Sequence, residues 1–258
     1  MTFDPAVRAT KVPEITLLFW VLKVAATTLG ETGGDAVTMS LDWGYLAGTA
    51  LFAAVFAVCV AAQVAAKRFH PWLYWLTIVA TTTVGTTLAD FADRSLGIGY
   101  VGGSSLLFAL LIATLVLWYR TMGSVSVDTV NTPAVELFYW TTILFSQTLG
   151  TALGDFLADT SGLGYAGGAL VFGAALVAIA LAWRFTDISR VVLFWAAFIL
   201  TRPLGATVGD FLDKPLSNGG LALSRPIASL VMLVAIVVLI LLLPQRPGSH
   251  PGTAEART

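Results

Sequence analysis

Apolar residues in this chain run in long unbroken stretches, and polar residues gather in short connections between them. Segments near 13–34, 44–66, 71–90, 98–119, 134–155, 162–183, 190–210 and 222–243 each approach the length, about 20 residues, that a helix needs to cross a bilayer. Continuous apolarity without a period of two favours helices over membrane strands. The pattern predicts an all-α polytopic membrane protein with eight transmembrane helices.

The polar and small positions inside these segments recur at fixed offsets. Align Trp20, Trp75, Trp140 and Trp195. Ten residues after each stands Gly30, Gly85, Gly150 or Gly205, and fifteen after each stands Asp35, Asp90, Asp155 or Asp210. Twenty-four after each stands Gly44, Gly99, Gly164 or Gly219. Four two-helix repeats follow, over 13–66, 67–120, 134–185 and 186–243, with an N-tail 1–12, an inter-half linker 121–133 and a C-tail 244–258. The tryptophans lie 55, 65 and 55 residues apart, as expected if a pair of repeats was duplicated as a unit. Each repeat has an even number of spans, so all enter the membrane in one direction. Their pseudo-symmetry axis should therefore lie along the membrane normal.

Composition agrees. Charged residues make up 11% of the chain, against about 25% in soluble domains, and mean hydropathy is +0.84. The net charge of −1 offers no basic face for nucleic acid. Cys59, the single cysteine, lies in an apolar run and excludes an internal disulfide. The polar N-tail is too short and mixed in charge for a cleavable signal, and the Pro/Gly-rich C-tail reads as disordered.

Charge also sets an orientation. One side carries Arg8, Lys11, Lys67, Arg68, Arg120, Arg184, Arg190, Arg246 and Arg257; the other carries Arg94, Lys214 and Arg225. Both termini should then be cytoplasmic. Trp72, Trp118 and Trp183 fall where an interfacial aromatic belt would sit.

Small-xxx-small pairs precede the repeat aspartates (Gly30/Gly34, Gly85/Ala89, Gly150/Gly154, Gly205/Gly209), and others open the second helices (Gly44/Gly48, Gly99/Gly103, Gly164/Gly168). Such spacing lets helices approach closely in lipid. The repeat tryptophans are expected as packing or interface anchors. The aspartates admit two readings: backbone caps where the helix breaks into the outer loop, or an acidic ring at the mouth of a central pathway.

The charges deeper in the membrane are Lys23, Glu31 and Arg202, placed three, eleven and seven residues after their tryptophans on the first and seventh helices. In a closed ring of repeats the first and fourth are neighbours, so the three could meet as one buried cluster. Intramembrane charges face a bundle interior and mark functional sites; a structural ion pair locking repeat 4 to repeat 1 is the competing reading. Thr27, Thr82, Gln147 and Arg202 share one repeat position and suggest a polar belt at one depth. Interhelical hydrogen bonding would use the same residues. Pro203 should kink its helix.

Catalytic motifs are absent, and His70 and His250 lie outside the apolar core, so no enzyme and no organic cofactor are expected. A metal site would have to use oxygen ligands, from Glu31, Asp35, Asp90, Asp155 and Asp210, suiting hard divalent cations.

The four Trp-anchored repeats, with "TLGETGGD", "TVGTTLAD", "TLGTALGD" and "PLGATVGD", resemble a family of bacterial membrane proteins built on a repeat of unknown function, often labelled uncharacterised membrane-anchored proteins. The resemblance spans about 11–243. It implies a bacterial inner-membrane location and no established substrate. The residues themselves lead to an expected transporter or channel for a small polar solute, most simply an ion, with a divalent cation and proton coupling both open. Eight acidic positions against three basic ones on the outer side would attract cations, whereas Lys23 and Arg202 would repel them. The alternative is a structural or accessory membrane protein. The expected partners are the lipid bilayer and the solute, with homo-oligomerisation left open.

Overall fold

The structure, a computed structural model, describes residues 10–160 and 162–248, apart from the side chains of 159, 160 and 218. It contains eight long helices: α1 Leu17–Asp35, α2 Tyr45–Ala65, α3 Pro71–Asp90, α4 Gly99–Met122, α5 Pro133–Asp155, α6 Gly164–Phe185, α7 Arg190–Asp213 and α8 Arg225–Leu242. Among the described residues there is no strand, only a single bridge between Pro13 and Pro247. Five helices (α2, α4, α6, α7 and α8) are long and apolar enough to cross a membrane. The other three, α1, α3 and α5, carry the threonines, glycines and acids of the repeat motif.

The connectivity of contacts explains that division. α1 packs on α3, α3 on α5, α5 on α7, and α7 closes back on α1. These four form an inner ring. The other four lie outside it, and each packs on the first helix of the following repeat: α2 on α3, α4 on α5, α6 on α7, and α8 on α1. Inner helices are covered by protein and tolerate polar side chains, while outer helices present apolar faces, with Val58, Val101 and Leu170 all strongly exposed. Lipid is the natural cover for such faces.

The ring closes through one repeated contact. A Cβ added at Gly30 would lie 3.0 Å from the Thr82 carbonyl carbon, and at Gly85 it would lie 2.9 Å from Gln147 Cβ. At Gly150 it would lie 2.5 Å from Arg202 Cβ, and at Gly205 2.9 Å from the Thr27 carbonyl carbon. The glycine ten after each tryptophan thus receives the residue seven after the next, around the full circle. No side chain fits there.

The later glycines do two different jobs. Gly44, Gly99, Gly164 and Gly219 all have positive φ, between 64° and 79°, and open space where a Cβ would be. Their role is to turn the chain into the second element, a conformation costly for other residues, rather than the close packing expected of Gly44, Gly99 and Gly164. Gly48, Gly103 and Gly168 do pack closely, against Thr38, Asp93 and Thr207. In repeats 1–3 a π-helical turn follows the aspartate (Ala36–Ser40, Phe91–Ser95, Phe156–Thr160), whereas α7 runs on to Asp213 and into a 3₁₀ turn, Leu216–Asn218. α7 also continues through Pro203 as one helix.

The Trp end of the ring is an aromatic layer. Trp75, Trp140 and Trp195 are buried, and Trp20 stacks edge-on against Phe19. Tyr74 and Tyr139 share a 2.6 Å hydroxyl hydrogen bond. Trp118 belongs to this layer, with its ring 5.9 Å from that of Trp195, and not to an interfacial belt. It is fully buried because α4 leans on α5, whereas Trp72 and Trp183 are exposed as expected.

Chain segments cross this end. Thr10 Oγ1 donates to the Val127 carbonyl at 2.6 Å, and Lys11 Nζ pairs with Glu136 at 2.6 Å. Residues 244–248, expected to be disordered, instead run beside 12–14: Glu14 N–H bonds the Arg246 carbonyl and Gly248 N–H the Val12 carbonyl. Gln245 also accepts from the Trp75 indole at 3.3 Å. The polar composition misled because these groups bond the bundle's end rather than water. Residues 1–9 and 249–258 lie outside the described residues.

Candidate functional site

Inside the ring, successive turns of α1, α3, α5 and α7 stack their repeat-equivalent residues in layers. The layer three after the tryptophans is Lys23, Ile78, Ile143 and Phe198, all with no exposed surface. Lys23 Nζ lies 4.2 Å from the centre of the Phe198 ring, a cation–π contact, and has no hydrogen-bond partner.

The layer seven after is Thr27, Thr82, Gln147 and Arg202, all fully buried. It does not act as one belt. Thr27 Oγ1 donates to the Thr201 carbonyl at 3.2 Å, and Thr82 Oγ1 to the Ala26 carbonyl at 3.1 Å. Both threonines therefore tie neighbouring helices together. The two amide atoms of Gln147 have no partner.

Arg202 leaves this layer and reaches the next, which is Glu31, Thr86, Thr151 and Ala206. Its Nη2 donates to Glu31 Oε2 at 2.7 Å, to Thr86 Oγ1 at 2.6 Å and to Thr151 Oγ1 at 2.5 Å. One guanidinium from the fourth repeat thus contacts this position in each of the other three. Thr86 also donates to Glu31 Oε2 at 3.3 Å. The small Ala206 on the same helix leaves room for the crossing, and Gly209 lets Glu31 Cβ approach to within 2.9 Å of where a Cβ would stand. This is a filled centre, not an open channel. Glu31 and Arg202 meet as the sequence suggests, but Lys23 does not join them. It lies eight residues before Glu31 on α1, about 12 Å along the axis, while Arg202 extends the other way.

The aspartates form the last layer, and all four are buried. Neither Asp35 nor Asp90 makes a capping bond. Nor are they an unpaired ring. Arg94 sits 2.8 Å from Asp90 and 3.6 Å from Asp155, and Lys214 sits 2.9 Å from Asp210 and 3.3 Å from Asp35. Arg94 and Lys214 occupy the same position, nineteen after their tryptophans, in repeats 2 and 4. Each cation clamps its own aspartate to that of the following repeat. Burial works against the Lys214 charge, but Asp210 and Asp35 outweigh it and hold its pKa above the ordinary lysine value. Arg225 adds a bond to Asp213 at 2.9 Å.

Of the five acids considered as metal ligands, three converge. Carboxylate oxygens of Glu31, Asp35 and Asp210 all lie within 4.8 Å of one another. Their ligand type suits a hard divalent cation, yet Arg202 and Lys214 already neutralise them. Asp90 and Asp155 are not in this group and pair with Arg94.

Thr86, Thr151, Arg94 and Lys214 were missed as site residues. Extending the Trp alignment to the eleventh and nineteenth positions would have exposed them, because polar or charged residues recur there.

No curated protein and no solved structure matches the chain. A family model described as Repeat of Unknown Function (DUF347) matches residues 18–69, 73–124, 138–189 and 193–245, with each match beginning two residues before a repeat tryptophan. Four tandem matches cover most of the sequence, and the chain belongs to the DUF347 repeat family.

Proposed function

We propose that the protein is a multi-pass transporter or channel for a small polar solute, most simply an ion, which passes along the axis of the α1–α3–α5–α7 ring. On this reading all eight helices cross the membrane, and the four repeats are related by an axis along its normal. The three polar inner helices cross because their neighbours, not lipid, surround them. The basic residues near the Trp end support a reading in which that end and both termini face the cytoplasm across a bacterial inner membrane.

One observation carries the proposal: a column of buried polar side chains runs through the ring interior from Lys23 through Gln147 and Arg202 to Glu31 and the aspartates. Packing in lipid can be achieved by small residues and shape alone, so charges at these depths call for a use. The Arg202 knot then acts as the gate. Passage requires the guanidinium to leave Glu31, and a freed Glu31 carboxylate can accept a proton, which would couple the gate to proton movement. Divalent cations are a specific case, favoured by the Glu31–Asp35–Asp210 triad, provided Lys214 swings away. The contrasting reading, a structural membrane protein without transport, is favoured by the completeness of the same knot.

Flux into proteoliposomes, screened over divalent cations, monovalent cations and small anions, tests the proposal. Protein-dependent flux of one class supports it. Rates equal to protein-free vesicles for every class reject it in favour of the structural reading.

A further inference from the structure

Most polar groups in the ring are accounted for; a subset one turn from the aromatic layer is not. Lys23 Nζ, Ser146 Oγ, both amide atoms of Gln147 and Arg202 Nε are buried without hydrogen-bond partners. They belong to the layers three, six and seven residues after the tryptophans, a depth of about 6 Å. Lys23 on α1 lies across the ring from Ser146 and Gln147 on α5, and α7, which carries Arg202, packs against both helices.

The imbalance has a sign. Glu31 answers Arg202, but Lys23 takes part in no ion pair and meets only the face of Phe198. A buried charge without a counter-ion is costly, and each unmet polar group adds to the cost. The unmet groups are mainly donors: an ammonium, an amide NH₂, a guanidinium N–H and a hydroxyl. On the Trp side of Lys23 there are aromatic rings, whose two hydroxyls are already bonded to each other. The two carboxylates nearest in depth are already paired, Glu136 with Lys11 and Glu31 with Arg202.

We propose that this level of the ring binds one small monovalent anion, held by Lys23 Nζ with donors from Ser146 and Gln147. Halide, nitrate and short carboxylates share the required chemistry. The glycine contacts hold the helices too close for a larger ion. The proposal deepens the transport reading and rests on it: the anion would be the solute, waiting on the Trp side of the Arg202 gate.

Binding can be tested without transport. The purified protein in uncharged detergent, with gluconate as the large-anion control at matched ionic strength, is titrated with chloride, nitrate and acetate. Melting temperature and tryptophan fluorescence are followed, since the aromatic layer adjoins the site. The expected result is a rise in melting temperature with anion concentration, as a ligand of the native state gives, and saturation of the fluorescence change. Lys23→Met should abolish both responses while melting at or above the wild-type temperature without anion, because an unpaired charge is removed. Gln147→Leu should weaken the response tenfold or more and serves if Lys23→Met fails to fold. The proposal is overturned if all three anions match gluconate, or if Lys23→Met responds like wild type. Anion binding without any flux would leave the site and reject transport; flux of a cation without anion binding would do the reverse.

Discussion

Arg202 Nη2 lies 2.7 Å from Glu31 Oε2, although 171 residues separate them in the chain. The contact joins the last repeat to the first and closes the ring. It also makes the ring's centre depend on one side chain, since Thr86 and Thr151 bond the same nitrogen.

Arg202→Met should therefore cost far more than a surface change. It strands a buried carboxylate, and breaking such a pair typically costs about 3–5 kcal/mol. Glu31→Gln should be destabilising for the mirror reason. The double variant should recover much of the loss because no uncompensated charge remains. Thermal unfolding in detergent measures this ordering. Simple additivity of the two single losses would show that the pair does not act as a unit.

Glycine substitutions offer an internal control. Gly205→Ala places a methyl group 2.9 Å from the Thr27 backbone, with Thr27 Oγ1 closer still. Overpacking of that kind costs about 1–3 kcal/mol. Gly173→Ala, inside α6 with no atom within 4 Å of the new Cβ, should be neutral or stabilising by up to about 1 kcal/mol. Equal melting temperatures for the two variants would remove close approach as the reason for the repeat glycines.

The Lys214 clamp predicts a pH profile. Its folded-state pKa is raised above the unfolded lysine value, which is about 10.4. The stabilisation is then complete below that pH and fades as pH rises above it toward the folded-state value. Wild type should be more stable than Lys214→Met by a constant margin from neutral pH to about 10, and the margin should shrink in more alkaline buffer. A margin that grows with rising pH would contradict the clamp.

Much of this could be read in the sequence because helix periodicity and a fixed repeat convert position into depth. The tryptophan alignment located the layers, and the closed order of repeats brought Glu31 to Arg202. What it could not supply was direction within a layer. Thr27 and Thr82 turn to neighbouring backbones while Arg202 extends to the axis, and both begin from the same repeat position. Lys23 and Glu31 share a helix, but the length and aim of Arg202 carry it to Glu31 and leave Lys23 apart. The aspartates look alike in sequence, yet Arg94 and Lys214 sort them into two clamped pairs. The ends were hardest: segments 10–14 and 244–248 are ordered by contacts with each other and with 125–130 that no periodicity encodes.

Solvent access to the ring axis is the most direct test of the central claim. In a Cys59→Ser background, Ser146→Cys and Thr151→Cys would be exposed to a small charged thiol reagent in membranes, with Leu96→Cys as the loop control and Leu170→Cys on the outer face of α6. The account predicts labelling at 146 and 151, slower than at 96 but well above that at 170, and faster labelling at 151 when Arg202→Met opens the knot. Labelling at 96 alone, with 146 and 151 as inert as 170 in both backgrounds, would contradict a path along the ring and leave a dry structural core.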